Sequence, residues 1–222
     1  MPIHDNPNES PERLAYYERI QNDNLAPLWQ VFNSLITKQP KSDCQAHLWR
    51  YSVLRERLLE AGNLISAKEA ERRVLILENP GFIGEARITT SLFSGLQLVL
   101  PGEVAPAHRH SQSALRFIME GSGGQTAVDG ERTIMEEGDF VITPPWTWHD
   151  HGNDSDAPTI WLDGLDIPIV RFFDTSFAEG YPEEEQPITA PDGNSAARFG
   201  ANLLPVDYQS TSPVSPLFTY PY

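Results

Sequence analysis

The chain has 222 residues, 40% of them hydrophobic, which suits one medium-sized domain with extensions or two small ones. Its 16 basic and 31 acidic residues give a formal charge of -15, which argues against nucleic acid and membrane surfaces as partners, because both demand clustered positive charge. Cys44 is the only cysteine, so an internal disulfide and a cysteine metal cage are both excluded. No apolar run reaches the length of a membrane span. The opening residues MPIHDNPNES lack the basic-then-apolar layout of a signal peptide, so a reducing cytoplasm is the expected compartment.

In chain order, Ser10 followed by Pro11 reads as a cap with proline at the first helical position, opening a helix through PERLAYYERIQND. A second helix is predicted over about Ala46 to Ala61, with Leu48, Trp49, Val53, Leu54 and Leu58 at helical spacing and Gly62 as its stop. Ser66 and Glu69 form a capping box that opens a short helix through Arg73. From Val74 the texture changes to short apolar or alternating runs (VLILENP, GLQLVLPGE, ALRFIME, GDFVITPP, TIWLDGL) separated by Gly, Pro, Asn and Asp. This predicts a mainly β fold, a small antiparallel β-barrel or jelly roll with an N-terminal helical extension. Gly121, Gly123 and Gly124 are expected in a hairpin, since no lysine and helix follow them as a phosphate loop requires. Beyond Arg171 the chain is rich in proline and acidic residues, notably Tyr181-Pro182-Glu183-Glu184-Glu185, and reads as an extended arm or linker. The expected organisation is a helical extension over 1–74, a barrel over 75–170 and an arm over 171–222.

Chemistry concentrates in the histidines. Four of the six fall in the barrel as two His-x-His pairs, His108/His110 and His149/His151, whereas His4 and His47 lie in the helical part and read as ordinary residues. Residues i and i+2 of a strand share a face, so each pair can aim two imidazoles at one point. Imidazole suits iron, zinc, copper and nickel, whereas magnesium and calcium want oxygen ligands. Arg116 lies an even number of residues beyond His110, which turns it to the same interior in a regular strand.

The run Gly102-Glu-Val-Ala-Pro-Ala-His108-Arg-His110 resembles the first cupin motif, and Gly138 through Pro144 and His149 to Asn153 resembles the second. The stretches HRHSQSALRFIMEG, PPWTWHDHGN and WLDGLD, with the leader ERRVLILENPG, resemble the gentisate 1,2-dioxygenases and their relatives acting on salicylate and 1-hydroxy-2-naphthoate. Many cupins carry a glutamate ligand shortly after His-x-His; here Ala114, Leu115 and Arg116 stand there, and the gentisate subfamily likewise uses three histidines. The resemblance implies iron(II) held by His108, His110 and His149, a small aromatic carboxylate and O2 as substrates, and a ring-opened product such as maleylpyruvate. It also implies Arg116 as carboxylate clamp, His151 as a proton donor or acceptor, and Asp163 as the group orienting an arginine or histidine. Gln97, Arg72 and Phe93 fall at pocket positions, Phe93 where relatives carry a larger or hydroxylated aromatic. Trp146, Trp148 and Trp161 are expected in core and pocket wall. Family members are commonly tetramers, so a homo-oligomer is expected, and they are usually longer, with a second barrel. Two other readings stay open: a different metal-cupin enzyme using zinc or manganese as Lewis acid, and an inactive or truncated cupin binding protein.

Overall fold

The computed structural model describes residues 9–201, 203–204, 206–210 and 215–222. The chain divides into two units, Met1–Ser42 and Asp43–Tyr222. In the first, α1 (Pro11–Asn22) starts as the sequence predicts, with Ser10 in extended conformation accepting the Arg13 N–H. A second helix, α2 (Leu28–Leu35), follows, and the Trp29 indole N–H donates to the Tyr17 hydroxyl at 3.1 Å.

The second unit opens with α3 (Tyr51–Leu64) and α4 (Ala67–Ala70), the latter capped by Ser66 accepting from the Glu69 N–H. α3 begins later than the predicted Ala46. The Asn79 side chain both donates to the Gln45 carbonyl and accepts its N–H, each at 2.9 Å, which takes that backbone out of reach of a helix. Two antiparallel sheets follow. The six-stranded sheet runs β1 (Val74–Ile76), β2 (Phe93–Val99), β9 (Thr159–Leu165), β4 (Ala114–Glu120), β7 (Phe140–Thr143), β11 (Thr219–Tyr220). The five-stranded sheet runs β10 (Ala178–Gly180), β3 (Val104–His110), β8 (His149–Asn153), β5 (Ser122–Val128), β6 (Glu131–Glu136).

Between the sheets Val99, Ile118, Met135, Val141 and Trp161 form a buried cluster. On the other side of the six-stranded sheet, Leu58 of α3 packs against Leu96, Leu98 and Ile160. β2 is therefore buried on both faces, with every residue from Ser94 to Val99 buried. Gly95 permits the edge pairing beside it: a Cβ there would stand 2.5 Å from Val74 Cγ1 and 3.0 Å from the Leu75 carbonyl oxygen.

The expected glycine hairpin is not formed. β4 and β5 pair with different partners, and Gly121 (φ +105°) and Gly123 (φ +94°) instead carry the chain from one sheet to the other. The segment beyond Arg171 is also more ordered than an extended arm. It holds α5 (Ile167–Phe172), which begins just before it, and α6 (Asn194–Phe199), and it adds β10 to the edge of β3 and β11 to the edge of β7. Short edge pairing needs only backbone groups, so a proline-rich, acidic composition does not forbid it.

Candidate metal centre

β3 ends and β8 begins at the same place, with His108 directly across from His149 in the register. Strand alternation puts His108 and His110 on one face, and the ligand atoms of His108, His110 and His149 all lie within 4.8 Å of one another. Each ring is aimed by a backbone carbonyl. His149 Nδ1 lies 3.0 Å from the Thr147 oxygen and His110 Nδ1 lies 2.9 Å from the Gln112 oxygen. His108 is hydrogen-bonded to the Pro106 carbonyl, and the Arg72 guanidinium contacts both Pro106 and His108 Nδ1. Nδ1 cannot accept from Arg72 and also leave Nε2 free for a metal. Ligation through Nε2 requires the proton on Nδ1, with the Pro106 carbonyl as its acceptor. His149 Nε2 is buried with no hydrogen-bond partner, the state of a lone pair meant for an ion.

All three imidazoles are held neutral. Burial, then the charges of Arg72 and Arg116 and the neighbouring His110, pushes His108 down to about 3. Burial lowers His110, and burial with Arg116 holds His149 well below the ordinary range. Neutral imidazole is the form that binds a metal, and three of them with no carboxylate leave its full charge exposed to a ligand.

Of the remaining expected site residues, Arg72, Arg116 and His151 lie beside this cluster and Asp163 lies beside Arg116. Arg116 is 3% exposed; its Nη1 donates to Thr143 Oγ1 at 2.5 Å, and its Nε lies 3.6 Å from Asp163 Oδ1 without a hydrogen bond of its own. Asp163 stands opposite Arg116 in the β4–β9 register and accepts the Trp161 indole N–H at 3.0 Å. Burial pushes its carboxyl up to about 6, against the pull of Arg116. His151 is buried against Trp161 with Nδ1 unpartnered, and burial, then Arg116 and His149, holds it far below the ordinary range. Gln97 lies opposite Trp161 in the β2–β9 register, buried with its Nε2 unpartnered. Arg72 follows the Glu71 turn (φ +54°) at the end of α4, and burial, then Arg116, lowers it to about 10. Phe93, two strand periods from Gln97 on the same face, is half-buried.

Phe93 also borders a groove of about 710 Å³ lined by Leu115, Ile142 and Leu162. Those three alternate with the inward-facing Arg116, Thr143 and Asp163, so the groove lies on the outer face of the sheet, away from the histidines. Trp161 is core as expected, but Trp146 and Trp148 are not: they flank Arg109 on the outer face of β3, from the turn that leads into β8. Sequence reasoning also missed Thr143, the Thr147 carbonyl and the Gln112 carbonyl. The last two lie two residues from the ligands they aim, a spacing that offers a usable signal.

Two antiparallel sheets enclosing three neutral imidazoles define a cupin metal site, and a family model described as a cupin domain matches residues 95–165. Over the whole chain, gentisate 1,2 dioxygenase 1 of Aquipseudomonas alcaligenes is 62% identical, across 100% of this chain and 64% of that protein. A gentisate 1,2-dioxygenase of Ralstonia sp is 39% identical across 93% of this chain and 58% of its own length. The structure of salicylate 1,2-dioxygenase from Pseudoaminobacter salicylatoxidans as adducts with gentisate matches with a TM-score of 0.90 at 34% identity, covering 100% of this chain and 61% of that one. The chain is thus similar over its whole length to gentisate 1,2-dioxygenases and carries a cupin domain, and it spans less than two thirds of the length of these relatives.

Proposed function

We propose that the chain carries the active site of an iron(II)-dependent dioxygenase that opens the ring of gentisate or a related hydroxybenzoate, giving a product such as maleylpyruvate with both atoms of O2 incorporated. The supporting observation is the meeting of three neutral imidazoles and two buried guanidinium groups in a chain whose net charge is -15. In a chain so acidic, positive charge gathered in one place favours an anionic ligand there. Relatives named for gentisate, 5-aminosalicylate and 1-hydroxy-2-naphthoate share one substrate motif, a ring carboxylate beside a hydroxyl.

His108, His110 and His149 would hold the iron, which supplies the redox chemistry that joins O2 to the ring when bound. Arg116 binds the substrate carboxylate through the guanidinium edge that Thr143 and Asp163 leave free. Asp163 keeps that guanidinium charged and oriented. His151, neutral and with Nδ1 unpartnered, passes a proton to or from the ring hydroxyl. Gln97 offers its free amide Nε2 as a donor, Arg72 adds a second cation beside His108, and Phe93, on the same strand face as Gln97, bounds the ring on one side. The protein acts in the cytoplasm as a homo-oligomer, a tetramer by family likeness, with the helical part over 1–74, the barrel over 75–170 and the arm over 171–222 as its parts.

Oxygen uptake by anaerobically iron(II)-loaded protein, with gentisate and then salicylate, tests this reading. Uptake matched one-to-one by ring-opened product is expected. Bound iron in folded protein without uptake would shift the reading to an inactive binding protein, and turnover with zinc or manganese alone to a Lewis-acid enzyme.

A further inference from the structure

Arg109 stands between the two histidines of β3 and therefore points to the opposite face. There its guanidinium carbon lies 4.4 Å from the ring centre of Trp146 and 4.4 Å from that of Trp148, sandwiched between the two. Its Nε and Nη2 both donate to Glu179 Oε2, at 2.9 and 2.6 Å, and Glu179 is its direct neighbour across the β3–β10 register. The indoles are backed in turn: Trp146 packs on Phe177 at 4.5 Å and Trp148 meets Tyr181 at 4.9 Å.

What these rings hold is the approach to the third ligand. Thr147 lies between them, and its carbonyl accepts from His149 Nδ1 at 3.0 Å. The Trp146 N–H donates to the His110 carbonyl at 2.8 Å, and the Trp148 N–H donates to Asp129 Oδ1 at 3.0 Å. Trp146 has φ +62°, a left-handed conformation that side chains with a Cβ adopt only where the surroundings over-determine it. Arg109 is the group both tryptophans share, and it belongs to the strand that carries the other two ligands.

We propose that Arg109 is a positioning residue for the metal: by clamping Trp146 and Trp148 behind the sheet it fixes the Thr147 carbonyl, and with it the direction in which His149 presents Nε2 to the partners His108 and His110. Arg109 never touches the ion. The inference rests on the three histidines being the metal site, and metal binding by the unaltered chain checks that separately.

The test uses cobalt(II) as probe, with affinity from chelator competition and the ligand-field absorption reporting the histidine set. Arg109→Met in the full chain is expected to bind cobalt(II) about 10- to 100-fold more weakly, with a changed absorption, while folded at the assay temperature. Arg109→Lys, which keeps a cation between the rings, should recover part of the affinity. A purely structural role would lower the melting temperature yet leave affinity and absorption unchanged, and that result overturns the proposal. If Arg109→Met does not fold, Glu179→Gln decides: it frees the guanidinium but spares both rings, weaker cobalt(II) binding is expected, and unchanged binding overturns the proposal. Failure of the unaltered chain to bind cobalt(II) would overturn the metal-site reading itself, and this inference with it.

Discussion

Arg116→Met separates the charge on Arg116 from its bulk. Two consequences follow from the geometry. Charge-assisted hydrogen bonds to a carboxylate contribute about 1.5–3 kcal/mol, so loss of the clamp should weaken substrate binding roughly 10- to 150-fold. No metal-ligating atom is removed, so metal occupancy should hold. The second consequence concerns Asp163, whose carboxyl burial already holds at about 6 while Arg116 opposes the rise. Relative to an ordinary carboxyl near ~3.9, ionising it in the folded protein costs ~3 kcal/mol. The native state thus binds this proton more tightly than the unfolded chain. Its contribution to stability is greatest below ~4, falls as pH rises, and levels off above the folded value of about 6. Without Arg116 the folded value climbs, so the decline continues to higher pH, by ~1.4 kcal/mol for each pH unit gained. Urea midpoints of the two proteins should therefore lie closer at pH 5 than at pH 8. Anaerobic gentisate titration gives the affinity, and metal analysis the occupancy. Unchanged affinity would remove Arg116 from the clamp, and a stability gap independent of pH would refute the electrostatic account of Asp163.

The other predictions concern the ligands and the support of the sheet. His149→Ala and His108→Ala should each abolish tight iron(II) binding; full iron occupancy in either, measured by elemental analysis, contradicts the triad. Leu58→Ala should cost about 2–5 kcal/mol in urea unfolding while leaving metal affinity intact, because Leu58 packs on the side of β2 turned away from the barrel interior. Glu120 accepts from Arg55 at 2.5 and 2.6 Å and from the Tyr51 hydroxyl at 3.0 Å, and Arg55 first among its neighbours lowers its carboxyl. Its stabilising effect is present above the unfolded carboxylate value of ~4.3 and is lost as pH falls through the depressed folded value. Glu120→Gln should flatten that acid limb in a pH series of melting temperatures, and an unaltered limb would rule the pair out as its source.

Much of the site could be read along single strands, because a period of two is a local property. His108 and His110 had to share a face, whereas Arg116 reaches the same interior from β4 of the other sheet, so its even spacing from His110 did not decide its direction. The caps at Ser10 and Ser66 were equally local, and both side chains accept the expected backbone N–H, though the helix after Ser66 ends at Ala70 rather than Arg73. What resisted reading was pairing between distant strands. That Asp163 stands opposite Arg116, or that Gln97 stands opposite Trp161, depends on β9 lying between β2 and β4, which no local pattern reveals. The glycines at 121 and 123 signalled a turn correctly, but a hairpin and a crossing between sheets make the same local demand for positive φ. Leu48 and Trp49 kept helical spacing yet lie before the helix, since Asn79 competes for the backbone from another segment.

The acidic, proline-rich stretch beyond Arg171 looked like a linker for an instructive reason. Every ligand strand has two faces, and a His-x-His motif leaves the intervening residue pointing away from the metal. Arg109 meets Glu179 there; Asp150, between His149 and His151, accepts the Gln186 N–H at 3.0 Å. Ala107 donates its N–H to Glu184 and accepts from Tyr181, at 2.8 and 2.9 Å. The segment thus braces β3 and β8 from behind, using backbone groups and a few anchored side chains while the remaining acids stay solvated. Such a brace needs no hydrophobic periodicity, which is why composition hid it. Because it is bonded to the rear of both strands that carry the three imidazoles, the segment limits how far those strands can shift, and metal ligation tolerates little shift.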